Sequence, residues 1–132
     1  MTELIPNLHI GNWHEARGTH GFYVVTVACD SPFVGHRHFA LVDGPGNSEI
    51  TFRAAVDAVI EAYSCEKKNV LVHCISGRSR SAAVIVAAAV KLTNRSFCEI
   101  YDELLRKHDG TRIHPHLAVL LLNFLGVTEL VK

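Results

Sequence analysis

One short loop in this chain carries the residue types that chemistry on an anion requires. Residues 73–81 read His-Cys-Ile-Ser-Gly-Arg-Ser-Arg-Ser, between the apolar run 69–72 and the helix-forming run 82–87. If a buried strand enters the loop and a helix begins at Ser81, several loop N–H groups turn inward beside the unpaired donors of the helix's first turn. Such a nest of amides binds an anion the size of a phosphate.

Cys74 and Arg80 have the types and spacing that suit attack on a bound oxyanion. The helix N-terminus and Arg80 favour the charged form of a nearby thiol, so we expect Cys74 to be a thiolate near neutral pH. Arg80 follows six residues later and can present a planar fork to two oxygens, which a lysine cannot do. Gly77 permits the tight backbone that the loop needs. The pattern therefore predicts a sulfur nucleophile in an oxyanion pocket.

The loop resembles the Cys-x5-Arg-Ser signature of the cysteine-dependent protein tyrosine phosphatase superfamily. Its His-Cys-x-x-Gly-x-Ser-Arg-Ser form is most similar to the dual-specificity subgroup. Residues 8–11 resemble the subgroup's opening strand, and Arg112 with Pro115 resembles the segment before its last helix, so the resemblance covers nearly the whole chain. The alternative is a buried cysteine beside an ordinary strand-to-helix turn, which would require neither Arg80 nor a hydroxyl at Ser81.

The resemblance implies a role for each residue of the loop. Cys74 attacks phosphorus and forms a phosphocysteine intermediate, which divides one hard displacement into two easier ones. Arg80 and the loop amides hold the equatorial oxygens, and Ser81 hydrogen-bonds the Cys74 sulfur as it leaves. His73 orients the loop from beneath, although it could simply be the polar end of a strand. The implied substrate-binding residues are Ile75, Ser76, Gly77, Arg78, Ser79 and Arg80.

The departing ester oxygen needs a proton from a general acid on another loop. Asp43 is the candidate, because it follows the apolar segment 39–42, predicted as a strand, and opens the glycine-containing loop 43–47. It lies 31 residues before Cys74 (74 − 43), which resembles the family's spacing. Asp43 could also merely start a turn. Asp30 is the alternative acid, because it too follows a predicted strand and sits in a loop with a proline.

The four cysteines, at positions 29, 65, 74 and 98, show neither Cys-x-x-Cys pairs nor metal-finger spacing, which suits a reducing compartment. Cys29 ends the predicted strand 23–28, which would lie beside the strand that carries His73. By resemblance to some family members, Cys29 could form a reversible disulfide with Cys74. Buried apolar packing is the simpler interpretation of Cys29.

The order of predicted elements indicates the fold class. A chain of 132 residues, 48% of them hydrophobic, is expected to form one domain, a single catalytic domain over 1–132. Strands before and between helices predict an α/β fold: a small, mostly parallel central sheet with helices on both faces, protein tyrosine phosphatase-like by resemblance. The loop would then lie at the carboxyl end of a strand, where such sheets bind ligands.

Local signals place three of the helices. Asn47 or Ser48 can cap a helix that runs to Tyr63. The segment 96–99 reads as a capping box that opens a helix ending at 109–110. Pro115 fits the first turn of a final helix, which ends near Gly126.

Neither the net charge nor the hydropathy of the chain favours binding to a nucleic acid or a membrane. Thirteen basic and thirteen acidic residues cancel, so neither nucleic acid nor membrane is expected to bind. The longest apolar run, 82–90, is too short to span a bilayer, and the N-terminus does not read as a signal peptide. We expect a cytoplasmic protein, and the resemblance implies a monomer.

The nine histidines invite a metal interpretation. His36 with His38, and His114 with His116, form two His-x-His pairs, but no carboxylates stand at diagnostic spacing. We therefore expect no metal and no other cofactor.

The expected function is hydrolysis of phosphate monoesters on phosphorylated proteins, at tyrosine and with serine and threonine left open. The family's deep-pocket members carry a long segment upstream of the catalytic core, for which this chain has too few residues, so a shallow pocket is implied. Arg78, Arg53 and residues 36–38 could add positive charge at its mouth, which leaves phosphoinositides and RNA 5′ ends open as substrates. A phosphate-binding module with weak catalysis is the alternative from another class. A third interpretation is an arsenate reductase or a sulfur-transfer enzyme, but such an enzyme would require a resolving cysteine or a loop of a different length.

Overall fold

The computed structural model describes residues 1–66 and 69–126. Five strands form one sheet in the spatial order β1-β2-β5-β3-β4. The strands are β1 (Thr2–Ile5), β2 (Leu8–Gly11), β3 (Phe22–Thr26), β4 (Arg37–His38) and β5 (Asn69–His73). The helices are α1 (Trp13–Gly18), α2 (Glu49–Glu61), α3 (Arg80–Thr93), α4 (Phe97–Lys107) and α5 (Pro115–Leu125), and a π-helical turn (Ala62–Glu66) extends α2.

The predicted α/β class is confirmed, but the sheet is mixed rather than mostly parallel. β5 is parallel to both of its neighbours, β2 and β3, and β4 is parallel to β3. β1 instead runs antiparallel to β2. The reason is a tight reversal between them, where Asn7 adopts a left-handed backbone with φ of 71° that asparagine tolerates better than most residues. The predicted single opening strand is therefore a hairpin.

The predicted strand over residues 39–42 is wrong, because the chain leaves the sheet after β4. The Phe39 amide still bonds the Thr26 carbonyl at 2.8 Å, but the Leu41 amide turns back to the Phe39 carbonyl at 2.9 Å. The Leu41 carbonyl then accepts the Cys29 amide at 2.9 Å. Leu41 is fully buried beneath this crossing. The apolar pattern of residues 39–42 thus predicted the burial of Leu41 correctly, although the backbone hydrogen bonds of this segment are those of a loop.

The unit β5, loop and α3 lies at the centre of the molecule. Val70 and Val72 of β5 face the larger hydrophobic core, and Leu71 between them faces a smaller cluster with Ala16 of α1 and Val24 of β3. Helices therefore cover both faces of the sheet, as predicted. α3 is buried over residues 80–89, and its small side chains allow this close packing on every side. The loop between β5 and α3 is consequently held at both ends by the core.

The predicted starts of three helices are confirmed, but α2 ends at Glu61 rather than Tyr63, and α4 ends at Lys107 rather than at 109–110. The Ser48 side chain caps α2 by accepting the Thr51 amide at 3.0 Å, and Ser96 with Glu99 forms the capping box of α4. Pro115 opens α5, which ends at Gly126 in a left-handed conformation. None of the helices in residues 1–66 and 69–126 combines the length and apolar character that crossing a bilayer requires.

Candidate active site

The loop between β5 and α3 has its carbonyl groups bound from outside. Three of them accept hydrogen bonds from elements distant in sequence. The pairs are the Trp13 amide with the Ile75 carbonyl at 3.2 Å, the Arg112 amide with the Arg78 carbonyl at 2.8 Å, and His108 Nε2 with the Gly77 carbonyl at 2.8 Å. Because a carbonyl only accepts, His108 donates through Nε2, and its Nδ1 then faces the Thr2 hydroxyl at 2.7 Å. The carbonyls thus point away from the loop's centre.

The amides of the same loop are left available. Those of residues 75–79 donate no hydrogen bond to any group in the described parts of the chain. α3 begins at Arg80, one residue before the predicted start, and its N-cap Ser79 makes no side-chain cap. The Ser79 hydroxyl instead accepts the His114 amide at 2.9 Å. The first turn of α3 therefore keeps its donors for a ligand, as an anion site at a helix N-terminus needs.

Gly77 is required by a close approach of two backbones. Its φ is +74°, and a Cβ there would stand 2.7 Å from the Gly11 carbonyl oxygen at the end of β2. The left-handed backbone strains any other residue, and the contact with a backbone oxygen leaves no side-chain rotation to relieve it. The prediction that this glycine shapes the loop is consistent with the geometry.

Cys74 and Ser81 meet at the base of the loop. The Cys74 sulfur lies 3.2 Å from the Ser81 hydroxyl oxygen. Cys74 is 2% exposed and Ser81 is fully buried. The serine can therefore donate a hydrogen bond to a sulfur that carries negative charge, and a buried donor of this kind is not displaced by water.

The Arg80 guanidinium is held by two acceptors from the segments that follow β3 and β4. Its Nη1 donates to the Leu41 carbonyl at 3.0 Å and to Asp30 Oδ1 at 2.8 Å. The hydrogen bond from Arg80 holds the pKa of Asp30 below its usual value. A carboxyl group that stays ionised is a poor proton donor, so Asp30 is poorly suited to the role of general acid.

Asp43 stands at the exposed start of a braced loop. The Asn47 side chain accepts the Val42 amide at 2.7 Å and donates to the carbonyls of Val42 at 2.8 Å and Gly44 at 3.0 Å. A Cβ on Gly44 would lie 3.9 Å from His114 Nε2, and the His114 amide is bound to Ser79. The Asp43 loop therefore flanks the anion loop, although Asp43 makes no hydrogen bond to Cys74 or Arg80.

His73 connects the sheet to the backbone of Cys74. Its Nδ1 lies 3.0 Å from the Cys74 carbonyl, and its Nε2 lies 2.7 Å from the Thr26 hydroxyl. Since the carbonyl only accepts, Nδ1 carries the proton and Nε2 accepts from Thr26. Thr26 in turn accepts the Gly35 amide at 2.8 Å. Burial lowers the pKa of His73, with a smaller effect in the same direction from nearby His38. A neutral His73 can thus hold the Cys74 carbonyl through Nδ1, and its role in orienting the loop stays a prediction.

Cys29 is exposed, so the interpretation of buried apolar packing is wrong. Its amide bonds the Leu41 carbonyl, the same oxygen that accepts Arg80. Cys29 and Cys74 are both free thiols in this structure. A disulfide between them stays a prediction.

Most of the histidines and arginines considered as rim or metal residues have partners elsewhere. His36 accepts the Val24 amide at 3.0 Å, and His38 bonds the Ala28 carbonyl at 2.8 Å. Arg37 lies 3.8 Å from the Glu61 carboxylate. The Arg53 guanidinium stacks over Phe124 at 5.1 Å, and His114 stacks on His116 at 5.3 Å. No group of three or more metal-ligating side chains occurs within residues 1–66 and 69–126.

Three supporting residues were missed by the sequence reasoning: His108, Thr26 and Asn47. Thr26 left a signal, because it is the only aliphatic hydroxyl in residues 22–28, a run of otherwise apolar and aromatic side chains. Asn47 was considered only as a helix cap. Nothing local distinguishes His108, whose partners lie 106 and 31 residues away.

The proteins to which this chain is similar include phosphatases. No family model matches the chain. It is 37% identical over 70 residues to the protein-tyrosine-phosphatase IBR5 of Arabidopsis thaliana, covering 52% of this chain and 27% of that protein. It is 29% identical over 89 residues to the dual specificity protein phosphatase PHS1 of Arabidopsis thaliana, covering 67% of this chain and 10% of that protein. The chain thus spans only a small part of these relatives.

The solved structure of human DUSP28 has the same fold. It superposes with a TM-score of 0.75 at 20% identity, over 94% of both chains. These matches confirm the resemblance to the dual-specificity subgroup of the cysteine-dependent phosphatases that the loop first indicated.

The buried histidine predicts a pH-dependent stability. His73 binds its proton less readily in the folded than in the unfolded state, so the unfolded state gains protons first as the pH falls below about 6.5. The free energy of unfolding should therefore decrease from pH 7 to pH 5. His73→Asn should reduce this slope by up to about 1.4 kcal/mol per pH unit, measured by urea denaturation at each pH.

The matched control is His20→Asn, which removes an exposed histidine and should leave the slope unchanged. Part of the slope should survive in His73→Asn, because burial also lowers the pKa of His9. A slope identical in His73→Asn and the native chain would contradict a neutral, buried His73.

Proposed function

We propose that residues 1–132 form the catalytic domain of a metal-independent protein phosphatase, which hydrolyses phosphate monoesters through a phosphocysteine intermediate. The observation that carries this proposal is the Cys74 sulfur, 3.2 Å from the Ser81 hydroxyl, at the base of a loop whose carbonyls are bound outward. That arrangement supplies a nucleophile, a set of oxyanion donors and a partner for the leaving sulfur.

In the first step, the Cys74 thiolate attacks phosphorus in line with the ester oxygen. The sulfur–phosphorus bond forms while the ester bond breaks, and the departing oxygen takes a proton from Asp43. The free amides of residues 75–79 and the Arg80 guanidinium bind the equatorial oxygens as charge develops on them. Donors that are already oriented need no rearrangement at that moment, which is why such sites lower the barrier.

In the second step, a water molecule attacks phosphorus and the sulfur–phosphorus bond breaks. Asp43, now a carboxylate, accepts the proton of that water. Ser81 donates a hydrogen bond to the sulfur as it regains its negative charge. Inorganic phosphate leaves, and the enzyme returns to its starting state. His73 acts throughout as a positioning residue, because it holds the Cys74 carbonyl and touches no reacting atom.

The proposed substrate is a phosphorylated protein. The names of the two curated relatives, a protein-tyrosine-phosphatase and a dual specificity protein phosphatase, support this class. Phosphotyrosine is the leading target, and a shallow pocket would also admit phosphoserine and phosphothreonine. Phosphoinositides and RNA 5′ ends are the alternative, and they would need several cations at the mouth. We further propose that the domain acts as a monomer in the cytoplasm, without binding nucleic acid or membrane.

Loss of the thiol should abolish turnover. Hydrolysis of para-nitrophenyl phosphate and of a phosphotyrosine peptide in EDTA should proceed with the native chain and fall below detection in Cys74→Ser, because a serine hydroxyl is a far weaker nucleophile than a thiolate. Release of inorganic phosphate is the measurement. Cys98→Ser, which alters an exposed cysteine on α4, is the matched control and should retain full activity.

Two outcomes would contradict the proposal. Activity that EDTA removes would indicate a metal hydrolase. If the native chain hydrolysed neither substrate but still bound the phosphopeptide, it would be a module that recognises a phosphorylated partner without hydrolysing the phosphate ester.

The role of Asp43 should depend on the leaving group. A phenyl or alkyl phosphate needs a proton on its departing oxygen, whereas para-nitrophenolate leaves as an anion with little help. Asp43→Asn should therefore reduce kcat on phenyl phosphate by about 10²-fold or more, and considerably less on para-nitrophenyl phosphate. Steady-state kinetics on both esters measures the ratio.

Asp57→Asn, an exposed aspartate on α2, is the control and should leave the ratio unchanged. An equal reduction of both esters by Asp43→Asn would assign Asp43 a structural role in its loop, and no reduction at all would transfer the acid to another residue.

A further inference from the structure

We propose that Asp30 is a positioning residue for Arg80, which fixes one edge of the guanidinium and reduces the positive charge that a bound oxyanion meets. This inference rests on the proposed function of the site and deepens it. It also predicts the substrate class: a single phosphate monoester with neutral or basic neighbours rather than a polyanion.

The contacts of Arg80 divide its fork into two edges. A guanidinium has five N–H donors in a fixed plane, two of them on Nη1. Both acceptors of Arg80, the Leu41 carbonyl and Asp30 Oδ1, lie on Nη1. Its Nε and Nη2 have no hydrogen-bond partner among the described residues. That free edge has the parallel pair of donors that matches two oxygens of a tetrahedral anion.

The backbone next to Asp30 is held in a position from which the carboxylate can bind Nη1 of Arg80. The Cys29 amide is bound to the Leu41 carbonyl at 2.9 Å, so the backbone next to Asp30 and the second acceptor of Arg80 are locked together. The Arg80 side chain is 7% exposed, whereas that of Asp30 is 63% exposed. The carboxylate therefore lies at the rim and reaches inward to a buried cation, so it is positioned to meet both the pocket and the surface of a bound substrate.

The charge of the pair has a consequence for the substrate. Asp30 stays ionised beside Arg80, so the pair carries little net charge, and the anion is held mainly by loop amides and one directed edge. Arg37 faces Glu61, and Arg53 faces the ring of Phe124. A second phosphate beside the first would meet the Asp30 carboxylate, which repels it.

Two variants separate the position of Arg80 from its charge. Asp30→Asn keeps an oxygen acceptor for Nη1 but removes the negative charge, and Asp30→Ala removes both. Glu103→Gln is the matched control, because Glu103 likewise accepts from an arginine, Arg95 at 2.8 Å, and from Lys107 at 2.7 Å, but has no contact with Arg80. Urea denaturation of each protein verifies that it is folded.

The first measurement is tungstate binding by calorimetry, which reports the oxyanion pocket without turnover. Asp30→Asn should bind tungstate about three- to tenfold more tightly than the native chain, because a repulsive charge at the rim is removed. Asp30→Ala should bind more weakly than Asp30→Asn, because its guanidinium is no longer fixed. Glu103→Gln should match the native chain.

The second measurement is the separation of kcat from KM on para-nitrophenyl phosphate. Asp30→Asn should keep kcat within about twofold and lower KM, whereas Asp30→Ala should lose about tenfold or more in kcat because the guanidinium no longer holds the geometry of the transition state. On a phosphotyrosine peptide with a second phosphate next to the first, Asp30→Asn should gain more in kcat/KM than on the singly phosphorylated peptide.

The outcomes distinguish the inference from the function on which it rests. Equal tungstate affinity and equal kinetics in the native chain, Asp30→Asn and Asp30→Ala would overturn the inference alone. Identical losses in both variants would also overturn it, because they would show a merely structural aspartate. Failure of the folded native chain to bind tungstate would overturn the oxyanion pocket, and with it both the proposed function and the inference.

Discussion

A loop can present its amides to an anion only if its carbonyls are satisfied elsewhere. Loop 74–79 meets this constraint with donors from three other parts of the chain: the start of α1, the end of α4 and the segment before α5. Because the peptide unit is planar and trans, each carbonyl that is bound from outside makes the N–H group of the next residue point the opposite way. The anion site is therefore a property of the whole fold, although the residues that line it are contiguous in sequence.

The core explains why this arrangement holds its shape. β5 enters the loop between two parallel neighbours, and α3 leaves it almost completely buried. Close-packed interiors deform little, so the loop is anchored at both ends. The hydrogen-bonded chain from Gly35 through Thr26 and His73 to the Cys74 carbonyl adds a second restraint, directly at Cys74. The buried polar groups in that chain all have partners, which is what makes such a network stabilising.

The sequence was sufficient to predict the parts of the protein that depend on neighbouring residues. The loop between β5 and α3, the helix caps at Ser48 and Ser96, and the cap of α5 at Gly126 follow from local patterns and are present in the structure. The resemblance to the dual-specificity subgroup added roles for the loop residues that local patterns do not supply.

The features of the fold and of the site that could not be predicted depend on contacts between residues distant in sequence, which no local pattern encodes. Residues 39–42 have the composition of a strand, but a turn at Leu41 replaces sheet pairing. His108 supports the loop across 31 residues, and Asp30 reaches Arg80 across 50. Asp30 was considered as an acid because of its position after a strand, and only its contact with Arg80 shows why that role suits it poorly.

The proposed mechanism requires that the Cys74 sulfur becomes bonded to phosphorus during turnover. The most direct test is to mix Ser81→Ala with an excess of ³²P-labelled phosphotyrosine peptide, quench within milliseconds to seconds and map the label by mass spectrometry. We expect phosphate on the peptide that contains Cys74, at a higher level than in the native chain, because without the Ser81 hydroxyl the sulfur leaves more slowly. Turnover without any labelled Cys74, or label on another residue, would contradict it.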